Sequence, residues 1–223
     1  MKIRHLPDTL VNQIAAGEVV ERPAAAIKEL VENAIDAEST RIEVELIEGG
    51  KTLIIVRDNG FGMGPDDLQA ALDRHATSKL PTEDLMNIHF LGFRGEALPS
   101  IASVSRMKIV TRERGGDAHE IEVIDGQKQT LRPTNVAEGT TIEVRDLFYL
   151  TPARLKFLKT AATEYGAVKD MLQRLAMAYP EIAFRLTHNG TTSFHYPVLE
   201  DDPHLQQKHR LRDIMGDDLD RKS

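Results

Sequence analysis

Apolar positions recur along the chain at two spacings, one helical and one alternating. Across residues 27–37 (IKELVENAIDA), Ile27, Leu30, Val31 and Ala34 fall at helical spacing and form one stripe. Glu29, Glu32, Asn33 and Asp36 crowd the other face, three carboxylates and an amide with no Lys or Arg among them. Upstream, LPDTLVNQIAAGEVVERP predicts a short helix ending near Gly17, then a connection to Pro23, an early residue of the next helix. RIEVELIEGGKTLIIVRDNG carries two alternating runs about Gly49 and Gly50 and predicts a hairpin ending at Asp58. PDDLQAALDRHA predicts a helix with Pro65 near its start and acids in its first turn.

Residues 75–92 show weak periodicity and predict a long mobile connection. GFRGEALPSIAS follows as a Gly-rich turn into a short helix, which Pro99 should bend or shorten by removing a backbone donor. Strand-like runs come near 106–113, 118–124, 127–133 and 140–146. TPARLKFL and TEYGAVKDMLQRLAMAYP predict helices, and FRLTHNGTTSFHY predicts a hairpin about Asn189-Gly190. After Pro197 the chain turns highly charged. A boundary is expected near residue 200, with one domain over 1–200 and a linker, with at most one helix, over 201–223. The pattern as a whole is α+β, helices early and mainly antiparallel strands later.

Composition narrows the function. The 223 residues contain no cysteine, which excludes disulfides and thiolate metal sites and suits a reducing compartment. No apolar run reaches the length needed to span a membrane, and the first ten residues lack the apolar core of a secretory signal. The net charge of −7 argues against binding nucleic acid by overall charge, leaving only local basic groups: Arg154, Lys156 and Lys159, and Lys208, Arg210 and Arg212.

Three motifs mislead. GGKT at 49–52 lacks the P-loop glycine five residues before Gly50, where Glu45 stands; GFGMGP has Pro65 in place of a third glycine; HEIEV at 119–123 has no second histidine. Four elements remain. Glu29 and Asn33, one turn apart, form either a solvated face or a water-activating carboxylate beside an oxygen ligand for magnesium. Asp58-Asn59-Gly60-Phe61-Gly62 is either an Asx turn or an acceptor for an exocyclic amine beside flexible backbone. Gly92-Phe93-Arg94-Gly95-Glu96-Ala97-Leu98 offers backbone N–H groups and a cation to an anion. Gly139-Thr140-Thr141 opens a strand, and a hydroxyl there can assist Asp58 through water.

In order and content these elements resemble the ATPase superfamily shared by DNA gyrase, the histidine kinases, a large heat-shock chaperone and the MutL mismatch-repair family. QIAAGEVVERP (13–23), KELVENAIDA (28–37), RDNGFGM (57–63), HATSK (75–79), GFRGEAL (92–98) and LFYLTPARLKFL (147–158) are similar to the MutL pattern, and the likeness covers about residues 1 to 197. The resemblance implies a two-layer α/β sandwich, a mixed and mainly antiparallel sheet backed by helices that hold ATP. It implies Glu29 as the base activating the attacking water, Asn33 as a Mg²⁺ ligand, and Asp58 as the adenine reader, helped by Gly62 and Thr140. The backbone from Gly92 to Leu98 would wrap the phosphates, and Thr77, Ser78 and Lys79 would belong to a lid.

It further implies a slow ATPase switch in the bacterial cytoplasm that pairs as an ATP-dependent homodimer. Such a switch would pass a signal from MutS to a downstream nuclease or helicase and touch DNA weakly and without sequence preference. Leu150 stands where the family usually has Asn. Pro99 stands where Ala is common, and predicts a distorted helix. The family's second subdomain, whose start would fall within 201–223, normally gives a lysine to the γ-phosphate. Its context is not found in these residues, so a fragment weak in hydrolysis is expected. The rival class is a non-catalytic dimerisation or DNA-interaction module.

Overall fold

Alternation decides which side of the sheet meets the core. In the computed structural model, which describes residues 5, 16–17, 19–74, 76, 95–199 and 201–216, strand β1 (Arg41–Ile47) buries Ile42, Val44 and Leu46 and turns Arg41 and Ile47 outward. Its antiparallel partner β2 (Leu53–Asp58) is in register Ile42↔Asp58, Val44↔Val56 and Leu46↔Ile54, so Asp58 closes the inward row. The turn between them is a short 3-10 segment, Glu48–Gly50, with Gly49 at φ 67°. There a Cβ would lie 2.4 Å from the Ala161 carbonyl, which accounts for glycine in GGKT without any phosphate.

The remaining strands are β3 (Arg106–Arg112), β4 (Ala118–Ile124), β5 (Gln127–Lys128), β6 (Arg132–Thr134), β7 (Gly139–Arg145), β8 (Ala183–His188) and β9 (Thr191–Tyr196). They join one sheet of nine strands in the order β5-β4-β3-β7-β2-β1-β8-β9, with β6 on β4. Among the described residues only β1 and β8 run parallel, so the sheet is mixed and mainly antiparallel, as expected. The hairpin at Asn189-Gly190 forms with both residues at positive φ, 49° and 77°.

Helix α1 (Pro23–Asp36) begins with proline in its first turn and lays Ile27, Leu30, Val31 and Ala34 into the core. Burial of each large aliphatic side chain contributes about 1.5–3 kcal/mol. Helices α2 (Pro65–Ala70), α3 (Ala97–Ala102), α4 (Pro152–Leu155), α5 (Ala161–Ala178) and α6 (Pro203–Met215) complete the described elements. None is long and apolar enough to cross a membrane. Helix α5 is capped by the Thr160 hydroxyl, which accepts the Thr163 N–H at 3.2 Å, and buries the stripe Glu164, Val168, Leu172, Ala176.

Glu164 is a carboxylate on that buried stripe, 1% exposed, and Arg22 explains it. Arg22, the residue before α1, donates from Nε and Nη2 to Glu164 Oε2 at 3.0 and 2.9 Å, while Oε1 accepts the Lys159 N–H at 2.8 Å. The pair anchors the start of α1 to α5. Replacing Arg22 by methionine strands a buried carboxylate and is expected to cost about 2 kcal/mol, discounted because Arg22 is itself partly exposed. Urea unfolding of the variant measures it, and an unchanged midpoint would remove the ion pair as the anchor.

The charged segment past residue 200 carries α6, and one of its expected solvent-facing cations is buried. Arg210 is 1% exposed and donates to the carbonyls of Ala176 (2.8 Å), Pro180 (3.1 Å), Ile182 (2.9 Å), Tyr196 (3.3 Å) and Pro197 (3.3 Å). It serves the carbonyls that the end of α5 and the end of β9 leave over. Burial draws its pKa below that of an ordinary arginine, with Asp213 opposing. Arg210 therefore does not belong to a surface basic group.

Candidate functional site

Asp58 ends β2 on the helix-backed face, where the chain leaving α1 meets the loop after β2. Its Oδ1 accepts the Gly60 N–H at 2.9 Å and the Ser39 hydroxyl at 3.3 Å, and the carboxylate also takes the Thr140 N–H. Burial pushes the Asp58 pKa above the usual carboxylate value, and these three donors pull against that shift without cancelling it. The result is an acceptor held in a fixed place at the end of a central strand.

The loop after Asp58 is fastened along its length. Phe61 donates to the Ala37 carbonyl (3.0 Å), Arg114 to the Phe61 carbonyl (3.1 Å), and Met63 to the Thr111 hydroxyl (3.0 Å). Asn59 is a structural staple: Oδ1 accepts the N–H groups of Thr40 and Arg41 at 3.0 and 2.8 Å, and Nδ2 donates to the Thr40 hydroxyl. Gly62 has φ 69°, and a Cβ there would lie 2.0 Å from the Arg112 carbonyl. That glycine is demanded by the protein's own packing, before any base comes close to it.

Thr140, on β7, is the cross-strand partner of Asp58. Sequence reasoning missed Thr111 on β3, fully buried and 3.0 Å from the Thr140 hydroxyl. Its signal was a polar side chain on the inward row of RMKIVTR, after Met107 and Ile109.

On α1, Glu29 and Asn33 are half-buried and one turn apart, beside the apolar stripe. The face carrying them is less purely acidic than the sequence suggests. Glu32 is buried and neutralised by Lys28, whose Nζ stands 2.6 Å from Oε1 at i,i+4 spacing.

Of the stretch expected to wrap the phosphates, Gly95, Glu96, Ala97 and Leu98 lie within the described residues. Gly92, Phe93 and Arg94 lie outside them, as do Thr77, Ser78 and Lys79 and nearly all of the expected mobile connection over 75–92. Gly95 has φ 60° and packs where a Cβ would lie 2.4 Å from the Ala76 carbonyl. The distortion expected at Pro99 is absent. Ser100 donates to the Glu96 carbonyl at 3.0 Å and Ser103 to the Pro99 carbonyl at 3.0 Å, regular α-helical bonds. Pro99 is the third residue of α3, where a backbone N–H has no intrahelical acceptor to lose.

The TPAR segment holds the chain leading into α1. Arg154 donates to the Val20 carbonyl at 3.1 Å, crowds Gly17 and lies 5.4 Å over the Phe148 ring. It is thus committed to the protein itself, while Lys156 and Lys159 remain exposed.

Residues 21–142 match the family of histidine kinase-, DNA gyrase B-, and HSP90-like ATPases. The chain is 55% identical to the DNA mismatch repair protein MutL of Paramagnetospirillum magneticum over 217 residues, covering 97% of this chain and 36% of that protein. It is 49% identical to MutL of Rickettsia bellii over 220 residues, 98% of this chain and 36% of that protein. The chain thus spans about a third of the length of these curated relatives. Among solved structures, the Aquifex aeolicus MutL ATPase domain complexed with ADP superposes with TM-score 0.73 at 33% identity, over 88% of this chain and 70% of that one. The sheet order, the Asp58 loop and the GFRGEAL sequence thus sit in a chain that belongs to the histidine kinase-, DNA gyrase B- and HSP90-like ATPase family, in its MutL branch.

Proposed function

We propose that this chain is the ATP-binding part of a mismatch-repair switch and that it hydrolyses ATP slowly. The observation that carries the reading is Asp58, an acceptor-only side chain fixed by three donors at the end of a central strand, across from Thr140. The ADP bound to the similar Aquifex domain supports the same ligand class.

In this proposal Asp58 accepts the amino group of adenine, with Gly62 and Thr140 completing that end. Glu29 is the general base toward water, and the backbone of 92–98 holds phosphate beneath a lid containing Thr77, Ser78 and Lys79. The donor set fits magnesium. Among the described residues no three His, Cys, Asp or Glu side chains gather to hold a metal. A cation that keeps several waters and shares phosphate oxygens needs little beyond one amide oxygen, which Asn33 would give. When bound it would neutralise charge on the phosphates.

ATP would bring the lid over the phosphates and pair two copies of the chain, shifting a conformational equilibrium by its differential affinity. The homodimer would relay a signal in the cytoplasm from MutS to a nuclease or helicase, with weak, non-specific DNA contact. The chain over 201–223 would lead into a second subdomain, and turnover by these 223 residues alone would be weak.

Thermal unfolding with Mg²⁺ and a non-hydrolysable ATP analogue tests the reading. At a hundredfold excess over Kd the ligand is expected to add about 2.7 kcal/mol, and chelating the magnesium is expected to remove most of it. No stabilisation under either condition would overturn nucleotide binding and favour a non-catalytic interaction module.

A further inference from the structure

Thr111 has no part in the roles above, yet its hydroxyl meets three groups. Oγ1 accepts the Met63 N–H at 3.0 Å, donates to the Gly139 carbonyl at 3.1 Å and lies 3.0 Å from the Thr140 hydroxyl. A hydroxyl has one hydrogen and two lone pairs. The Gly139 carbonyl can only accept, so the Thr111 hydrogen goes there. Met63 fills one lone pair, and the other accepts from Thr140. The Thr140 hydrogen is thereby committed inward, and its oxygen is left with lone pairs only. Beside it across the strand pair stands Asp58, also an acceptor.

We propose that Thr111 is a positioning residue that fixes Thr140 as an acceptor, so that Thr140 and Asp58 together select a purine with an amino group at C6 over one with a carbonyl there. The inference rests on the nucleotide-binding reading. An amine brings two N–H donors to two acceptors. A 6-oxo purine sets an oxygen against them, and its single donor on that edge, N1–H, can serve only one of the two, leaving the other unpaired, which is how a polar site disfavours an analogue.

The test compares wild type with Thr111→Val, Thr111→Ser and Thr140→Val, measuring Kd for ATP and for inosine triphosphate with Mg²⁺ by calorimetry. Hydrogen exchange at the Met63 amide is followed without nucleotide. Thr111→Val is expected to shrink the preference for ATP by about five- to tenfold, the worth of one hydrogen bond, and to speed Met63 exchange. Thr111→Ser should keep both near wild type. Thr140→Val should lose the preference while Met63 stays protected, which serves also if Thr111→Val does not fold. An unchanged preference in the two valine variants, or a serine variant that behaves like valine, overturns the proposal. If wild type binds neither nucleotide, the binding reading fails and this inference with it. Slow Met63 exchange in Thr111→Val overturns the hydroxyl network on its own.

Discussion

An alanine at position 29 is expected to lower ATP turnover by about 10²–10⁴-fold while leaving ATP affinity within about threefold of wild type. The asymmetry follows from where Glu29 sits. The core face of α1 is made by Ile27, Leu30, Val31 and Ala34, so truncating Glu29 leaves that apolar face in place. Both ends of α1 are tied elsewhere. Arg22 meets Glu164 at the start, and the Ala37 carbonyl accepts from Phe61 just past the end. Asn33 and Asp58 therefore keep their places in the variant, and with them the proposed contacts to magnesium and base. What is lost is a carboxylate able to take a proton from water as the bond forms. Single-turnover hydrolysis with protein in excess, together with calorimetric Kd values, separates the two effects. Turnover within tenfold of wild type would dismiss Glu29 as the base; affinity falling in step with turnover would make it a binding residue.

The layout was legible where local rules suffice. Alternation in RIEVELI and LIIVRD gave the strands and their inward rows, Asn189-Gly190 gave its hairpin, and the stripe from Ile27 to Ala34 gave α1. Local rules failed where the deciding partner is distant in sequence. Arg210 reads as one more cation in a charged stretch. Its burial depends on carbonyls from the end of α5 and the end of β9, which no local pattern announces. Thr111 is a single polar residue in a strand, and its three partners lie on the loop after β2 and on β7. Pro99 misled for a different reason. The penalty for proline holds inside a helix, and α3 starts late enough for Pro99 to fall in its first turn. The acidic face of α1 was overdrawn because Lys28 reaches Glu32 one turn away. At the site, Asp58 and Thr140 were recognisable as motifs, but only the strand register makes them neighbours.

Asp58→Ala is expected to weaken ATP binding by about 100-fold, an effect on affinity where Glu29→Ala acts on turnover. A hydrogen bond to an ionised group is worth about 1.5–3 kcal/mol, and a site built around it has no second acceptor of equal strength. The pH dependence gives an independent signature. Burial raises the Asp58 pKa, so in the nucleotide-free protein the carboxylate takes up a proton at higher pH than an ordinary aspartate. Adenine needs the acceptor, so wild-type affinity should fall on acidification already above the ordinary aspartate range. Asp58→Asn, which cannot titrate, should lack that component; comparing the two cancels the titration of the phosphates. Stability runs the other way. A carboxyl with a raised native pKa adds stability when protonated and loses it as pH rises through that value. The stability of wild type relative to Asp58→Asn should therefore increase as pH falls through the raised Asp58 pKa. Parallel pH profiles for the two proteins, in affinity and in urea midpoint, would leave Asp58 as an ordinary turn residue; opposed slopes mark a carboxylate kept ionised for its ligand at a cost to the empty fold.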